Sequence, residues 1–259
     1  MDSHNHPAPR PILALETSGN SLGVALHLSG SVVFEENVTE GMIHGRALVP
    51  LMKMALASQN LKPADLSAVA VSQGPGSWTG LRIGIAAAKA FAWAAGIPVV
   101  CVPSFEALAL EASDVILKRN GCGPKSSTIM TLRDARSEGF FAAIIEVTDG
   151  VPERLLKECV LHSADVVEAA KQCGKMALHV CGDEKCLAQL DAEMNANGWM
   201  PLPDLTHIPA RAVAKCGWRR FKNGAGVART TAEIHALGPL YLRASDPELK
   251  LKKAVPSVA

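Results

Sequence analysis

A glycine-rich turn at residues 73–84 has the spacing in this sequence that most suggests phosphate chemistry. Its residues are Gln73-Gly74-Pro75-Gly76-Ser77-Trp78-Thr79-Gly80-Leu81-Arg82-Ile83-Gly84. The apolar run 68–72 before it predicts a buried strand, and residues 85–95 after it are rich in helix formers. A turn between a strand and a helix start directs free backbone N–H groups and a partial positive charge above the sheet.

This turn nevertheless lacks the residues of the common phosphate motifs. A P-loop needs Lys and then Ser or Thr after its last glycine, whereas Gly80 is followed by Leu81 and Arg82. A dinucleotide-binding turn needs a third glycine where this chain has Thr79. A tight turn that lets strand and helix pack closely explains the glycines equally well.

Two acidic residues that end predicted strands, Glu16 and Asp134, are the candidates for holding metal or phosphate, together with Ser18. The alternative at Glu16 is a polar cap of the strand end, and at Asp134 an ion pair with Arg133 or Arg136. We favour these alternatives, because structural ion pairs and caps are commoner than reactive carboxylates. The chain also lacks a Gly-x-Ser-x-Gly nucleophile turn, so we predict no active site.

The elements that would position these residues occur in the same order twice. The first set is predicted as strands 12–17, 22–28 and 31–38, a helix over 42–58 with Pro50 inside it, the strand before the glycine turn, and the helix after it. The second set is predicted as strands 128–133, 139–147 and 155–161, helix 164–172, strand 176–181 and helix 184–195. A repeated βββαβα unit is the plan of the actin-like, sugar-kinase and Hsp70 ATPase folds. We therefore predict an α/β protein with two similar lobes facing each other across a cleft.

Composition sets the predicted domain boundaries. Residues 1–10 are polar and interrupted by proline, and we expect a disordered tail there. The first lobe is predicted to span 11–118 and the second 119–228, because glycines and a proline cluster just after residue 118. The segment 229–259 is a candidate to pack back on the first lobe.

The overall composition excludes some classes of protein. The chain has 259 residues, of which 48% are hydrophobic and 20% charged, so it can bury a core. A net charge of +1 excludes a globally basic nucleic-acid binder but allows a local basic face. The 7 cysteines lack disulfide or zinc spacing, which is typical of reduced thiols in a cytoplasmic protein. No apolar run reaches the ~20 residues of a membrane span, so we predict no membrane contact.

The glycine-rich turn resembles the signature of the TsaB (YeaZ) family, which usually has Phe at the position of Trp78. Three further stretches resemble that family in order and spacing: Ile12-Leu13-Ala14-Leu15-Glu16-Thr17-Ser18, Leu132-Arg133-Asp134-Ala135-Arg136 and Pro239-Leu240-Tyr241-Leu242-Arg243. The resemblance covers nearly the whole chain, and four matches in order are much harder to obtain by chance than one glycine turn. One departure is Glu16, where the family usually carries Asp.

The resemblance implies an actin-like fold and a non-catalytic scaffold subunit. TsaB proteins join a TsaD-like catalytic subunit and a TsaE-like ATPase, which place a threonylcarbamoyl group on the adenosine next to the anticodon of tRNAs. They pair with TsaD through the helices near residues 42–58 and 80–95, and they can form homodimers. The interface residues implied here are His44, Leu48, Leu51, Met52, Gly80, Arg82, Ile83, Gly84 and Ala87. No cofactor is expected to be required, and weak binding of ATP or ADP with Mg²⁺ stays open.

Two other functions compete with the scaffold. The first is a nucleotide-dependent kinase or hydrolase of this fold, using Glu16, Ser18, Asp134 and the glycine turn. The second is a peptidase, a label given to related proteins. Catalytic relatives of the TsaD type hold a metal with His-x-x-x-His, but here His44 is followed four residues later by Leu48, so one ligand is missing.

A basic cluster near residue 215 is the candidate contact with tRNA. Arg211, Lys215 and Arg219 recur at a spacing that places them on one face of a predicted helix. They would contact RNA phosphates if this face is free. The alternative is a solvated charged face, which is the commoner arrangement.

Overall fold

A computed structural model describes residues 11–39, 44–121, 126–136, 139–174 and 178–243. The first lobe contains β1 (Ile12–Glu16), β2 (Leu22–Leu28), β3 (Ser31–Val38), α1 (His44–Ala57), β4 (Ala68–Gly74), α2 (Trp78–Ala95), β5 (Val99–Pro103) and α3 (Ser104–Asn120). The second contains β6 (Ser126–Asp134), β7 (Phe140–Thr148), β8 (Val151–Leu161), α4 (Ser163–Gln172), β9 (Leu178–Gly182), α5 (Glu184–Gln189), α6 (Asp191–Asn197) and β10 (Met200–Pro201). The described chain then continues through α7 (Ala210–Lys222), β11 (Val227–Ala228) and α8 (Thr231–Ala236).

The two sheets share one topology. The 6-stranded sheet has the order β11-β5-β4-β1-β2-β3, and the 5-stranded sheet has the order β10-β9-β6-β7-β8. In each sheet the first three strands of the lobe form an antiparallel meander, and the two later strands add in parallel beside the first of them. This repeated order confirms the predicted actin-like plan.

Alternating residues of the central strand β1 face two different layers. Leu13 and Leu15 pack in the core beneath α1 and α2, whereas Ile12 and Ala14 pack in the core that includes α3 and α7. This period-2 alternation is typical of a strand buried on both faces. The helices that pack on these two faces are therefore separated by the sheet: α1 and α2 lie on one side and α7 lies on the other.

The helix α7 lies on the first sheet, which corrects the predicted boundary of the second lobe at residue 228. Ala210, Val213 and Ala214 are buried in the same core as Ala14 of β1. Small residues on both sides permit this packing, since a Cβ at Gly217 would lie 2.5 Å from the Cβ of Ala70. The strand β11 also joins the first sheet, antiparallel to β5. Three prolines, Pro201, Pro203 and Pro209, precede this return, and the predicted boundary at residue 228 did not use them.

Ionic contacts fix the second lobe to the first. Glu106 of α3 is 6% exposed and accepts hydrogen bonds from Arg154 of β8 at 3.0 Å and from Arg220 of α7 at 3.1 Å. A buried carboxylate shared by two arginines holds the three elements in one arrangement.

All described cysteines are free thiols. Within the described ranges, every helix is too short or too polar to cross a lipid bilayer.

Candidate functional site

The glycine-rich turn lets α2 begin directly against the end of β1. Ser77 caps the helix, and its Oγ accepts a hydrogen bond from the Gly80 N–H at 3.2 Å. A Cβ at Gly80 would overlap the carbonyl oxygen of Thr17, and one at Gly84 would overlap the Thr17 hydroxyl. These two glycines are therefore required for close helix–strand packing, which is the structural alternative that the sequence left open.

An arginine of the second lobe occupies the space beside this turn. Arg133 is 6% exposed, and its Nη1 donates hydrogen bonds to the carbonyl oxygen of Ser18 at 2.6 Å and to the Ser18 Oγ at 3.0 Å. Its Nε lies 3.7 Å from the Asp183 carboxylate. A Cβ at Gly76 would lie 2.9 Å from Arg133 Nη1 and would overlap the carbonyl oxygen of Ser18. The chain's own guanidinium thus lies against the turn at which the sequence suggested a phosphate, and both line the same open cleft.

Glu16 lies beneath the cleft rather than in it. It is 1% exposed, and its Oε1 accepts hydrogen bonds from the Ser18 N–H at 2.6 Å and the Ser18 hydroxyl at 2.5 Å. Burial raises the pKa of this carboxyl, and the positive charge of Arg133 and the Ser18 hydrogen bonds only partly offset that effect. Oε2 has no hydrogen-bond partner among the described residues. Glu16 therefore acts here as a buried strand-end group held by Ser18.

Asp134 lies in the cleft, where a lysine holds it. Lys185 donates to its Oδ2 at 2.8 Å, and the Arg136 N–H donates to its Oδ1 at 2.7 Å. Partial burial acts to raise the pKa of Asp134, but these hydrogen bonds and charges outweigh it and lower the pKa. Lys185 is thus an ion-pair partner that the sequence did not suggest, the charge of Arg136 acts on the same carboxylate, and Arg133 contacts Ser18 instead. Ser18 and Asp134 both line the cleft, while Glu16 does not.

We expect the Glu16→Gln variant to be more stable than the wild type at pH 8. Because burial raises the folded-state pKa of Glu16, the folded state holds the proton more tightly than the unfolded state. Its contribution to stability is therefore present below the unfolded pKa and is lost as pH rises through the folded pKa. Glutamine keeps the oxygen that accepts from Ser18 and never ionises.

Urea unfolding from pH 4 to pH 8 measures this effect. The advantage of the variant should be largest at pH 8 and should vanish toward pH 4.5. Glu153→Gln, a change at an exposed position of β8, should leave the pH dependence unchanged. An equal or greater stability of the wild type at pH 8 would show that ionised Glu16 is well stabilised.

A cleft of about 870 Å³ separates the lobes. Its lining comes from the Ser18–Asn20 turn, the glycine-rich turn, the ends of β6 and β9, α5 and the segment 240–243. Basic side chains outnumber acidic ones in that lining: the basic ones are Arg82, Arg133, Arg136, Lys185 and Arg243, and the acidic ones are Asp134 and Asp183. The cleft is therefore positively charged.

Aromatic rings form one wall of the cleft entrance. The rings of Trp78 and Tyr241 stack with centroids 3.8 Å apart and an interplanar angle of 20°. The guanidinium of Arg82 lies 4.5 Å from the Trp78 centroid, and its Nε donates to the Tyr241 hydroxyl at 2.8 Å. The Leu240 N–H donates to the Gln73 carbonyl at 2.8 Å and so anchors the segment that carries Tyr241. Sequence reasoning used these stretches for resemblance and did not predict that they meet.

Several residues predicted for the partner interface face the chain's own core. Leu48, Leu51 and Met52 are 2%, 6% and 5% exposed and pack beneath α1. Gly80 and Gly84 contact Thr17, as described above, so a change at Gly84 tests the fold and not the interface. These five assignments are corrected: their spacing is that of the buried stripe of each helix. The side chain of His44 lies outside the described part of the structure.

The opposite surface of the same helices is exposed and apolar. On α1, Val49 and Met54 are 52% and 53% exposed. On α2, Trp93 is 74% exposed, Ala86 is exposed, and the predicted residues Ile83 and Ala87 are half-buried beside it. We call these residues the outer α1/α2 face: Val49, Met54, Ile83, Ala86, Ala87 and Trp93. Arg82, also predicted for the interface, is exposed at the cleft end of α2.

The basic residues predicted to contact tRNA are already paired. Arg211 donates to Glu111 at 2.7 Å and to Glu35 at 3.1 Å. Lys215 bonds the same Glu111 at 3.3 Å and Asp114 at 2.7 Å. Arg219, the third member, donates to the carbonyl oxygen of Gly150.

Carboxylates neutralise the first two of these residues, so a phosphate would have to compete with them, and RNA contact at this face stays a prediction. Among the described residues, no group of His, Cys, Asp and Glu side chains is arranged to hold a metal ion.

Comparisons with known proteins agree with this architecture. A family profile described as "TsaD: tRNA N6-adenosine threonylcarbamoyltransferase" matches residues 41–198. The chain is 27% identical over 239 residues to the tRNA threonylcarbamoyladenosine biosynthesis protein TsaB of Bacillus subtilis, covering 92% of this chain and 96% of that protein. It is 30% identical over 159 residues to the Escherichia coli TsaB, covering 58% of this chain and 64% of the other.

A solved structure shows the same fold. It is a Pseudomonas aeruginosa protein with similarity to peptidase YEAZ, which superposes with a TM-score of 0.70 at 23% identity. The superposition covers 90% of this chain and 100% of that one.

Proposed function

The chain belongs to the TsaB (YeaZ) family of tRNA threonylcarbamoyladenosine biosynthesis, and from that premise we propose that it is a non-catalytic scaffold subunit. In this role it binds a TsaD-like catalytic subunit and supports transfer of the threonylcarbamoyl group to the adenosine next to the anticodon. A TsaE-like ATPase and the tRNA join through the complex. The chain contributes by ordering its partner and not by making bonds.

The observation that carries this proposal is the outer α1/α2 face. Two adjacent helices expose Val49, Met54 and Trp93, each more than half accessible to water. Exposed Trp and Met are typical of protein interfaces, where they supply much of the binding energy. Ala86 is exposed on α2 and is small enough to let a partner helix approach α2 closely. The same face would support a homodimer, which then competes with the heterodimer.

The cleft chemistry supports a role without catalysis. Arg133 bonds Ser18 beside Gly76, and Asp134 is engaged by Lys185. A nucleotide-dependent kinase would need both positions for its phosphates and Mg²⁺. For this reason we rank the kinase or hydrolase second, and we propose that no nucleotide cofactor is required by this subunit.

Reconstitution of the transfer reaction tests the proposal. Purified chain, a TsaD-like subunit and a TsaE-like ATPase are combined with tRNA and a threonylcarbamoyl donor, and the modified nucleoside is quantified by mass spectrometry. We expect no transfer by the chain alone and at least a tenfold gain when it is added to the other subunits.

Transfer by the isolated chain would overturn the scaffold role. Calorimetry with ATP and Mg²⁺ tests the second candidate directly. Micromolar binding with steady hydrolysis by the isolated chain would favour the kinase or hydrolase.

A further inference from the structure

The entrance of the interlobe cleft offers basic and aromatic side chains that lie outside the outer α1/α2 face. We propose that the cleft rim, defined as Trp78, Arg82, Lys185 and Tyr241, binds the sugar-phosphate backbone and an unpaired base of RNA. This inference rests on the proposed function, because it identifies the surface with which the scaffold would contact tRNA.

The charges on the rim are more available than those on α7. Lys185 has a side chain 63% exposed and one carboxylate partner, Asp134. Arg82 is exposed and has no carboxylate partner among the described residues, since its contacts are with Tyr241 and Trp78. Arg211 and Lys215, in contrast, each bond two carboxylates, one of which, Glu111, is 3% exposed. An exposed cation binds phosphate more readily than a buried, paired one, because breaking its existing ion pair costs little free energy.

The aromatic pair gives the rim a preference for nucleic acid over other polyanions. Tyr241 is 38% exposed and Trp78 is partly exposed, with Arg82 beside both rings. Proteins that bind single-stranded nucleic acid combine such stacking surfaces with basic side chains, and each stacked base contributes ~1–3 kcal/mol. The unpaired bases of a tRNA loop suit this arrangement. An acidic peptide would use the cations but not the rings.

The floor of the cleft argues against a free nucleotide as the ligand. The Ser18 and Gly76 turns are in contact with each other and with Arg133, so no phosphate fits between them. The open volume of the cleft is bounded by these turns on one side and extends to Arg82, Lys185 and Tyr241. A ligand here lies along the entrance, as a strand of RNA can, and does not enter with its phosphates first.

Fluorescence anisotropy with a labelled anticodon stem-loop RNA tests the rim in the isolated chain. We expect binding that weakens as salt rises from 50 to 200 mM, because each phosphate contact releases a counterion. Lys185→Gln and Trp78→Ala should each weaken binding by at least threefold, whereas Trp78→Phe should retain it. Lys157→Gln, an exposed lysine of β8 outside the cleft, is the matched control and should have no effect.

Two results would overturn the RNA assignment. One is equal RNA affinity of Lys185→Gln and Lys157→Gln. The other is displacement of the labelled RNA by ATP or by polyglutamate as efficiently as by unlabelled RNA. For this comparison the competitors are matched by their concentration of phosphate or carboxylate groups. These failures are separable from failure of the scaffold role, because reconstituted transfer would still depend on the chain. If Lys185→Gln weakens RNA binding while partner association is unchanged, the rim and the outer α1/α2 face are distinct surfaces.

Discussion

Replacing Ala86 with arginine is expected to weaken association with the TsaD-like subunit by at least a hundredfold. Ala86 is exposed on α2, on the same surface as Ile83, Ala87 and Trp93. A long cationic side chain there prevents close helix–helix approach and brings a charge into an apolar contact, which is a strong means of discriminating against a partner. A hundredfold loss corresponds to about 2.7 kcal/mol. Sedimentation velocity of the mixed subunits measures the association.

The fold of this variant should be unaffected, since arginine is a good helix former and the site faces water. Circular dichroism and the urea midpoint verify this. Ala196→Arg makes the same change at an exposed position of α6 in the second lobe, and we expect it to bind the partner normally. Normal binding by Ala86→Arg would place the partner on another surface and remove the observation that carries the scaffold proposal.

Helical periodicity could identify α1 and α2 but not the face that meets a partner. Leu48, Leu51 and Met52 recur at the spacing of an apolar stripe, and such a stripe packs on a sheet whenever one is available. The sheet was predicted, so the stripe could have been assigned to the core. The outer surface carries isolated apolar residues, Val49 and Met54, whose exposure depends on how α1 is rotated on the sheet.

The topology was predictable because strands and helices have different hydrophobic periods, and the second lobe repeats the order of the first. The location of α7 was not. Its buried residues, such as Ala210 and Ala214, are small and would fit either sheet. The contact that decides it, Gly217 against Ala70, joins residues far apart in the sequence. Hydrophobic patterns therefore predict the elements and their order along the chain. They do not predict which elements pack together over long sequence distances.

Sequence reasoning about the cleft selected the carboxylates and missed the arginine between them. Their residue type suggests that Glu16 and Asp134 could hold a metal. In the structure, Glu16 is buried and Asp134 is paired with Lys185. Arg133 precedes Asp134 on the same strand, so the two side chains point to opposite faces of the sheet. The one that reaches Ser18 is the arginine. The repeated fold places both strand ends at the cleft, and although both side chains line it, a one-residue difference determines which of them reaches Ser18.

Alanine at Gly80 is expected to cost about 3 kcal/mol of folding stability, at the upper end of overpacking effects. Its Cβ would overlap the Thr17 carbonyl oxygen, which is backbone and cannot rotate away. The helix α2 would have to move off the end of β1, and Trp78 and Ala86 would move with it. Urea unfolding followed by circular dichroism measures the loss.

Gly45→Ala is the matched control, because Gly45 lies in helix α1 and a Cβ added there would meet no atom of the described residues within 4 Å. In this first turn of α1 the same change should stabilise the chain by about 0.4–1 kcal/mol, because alanine leaves the unfolded chain fewer conformations than glycine does. The two variants therefore differ in the sign of their effect although the chemical change is identical. If Gly80→Ala proved as stable as Gly45→Ala, α2 would not depend on its contact with Thr17. Both the cleft rim and the outer α1/α2 face would then lose the anchor that fixes their positions.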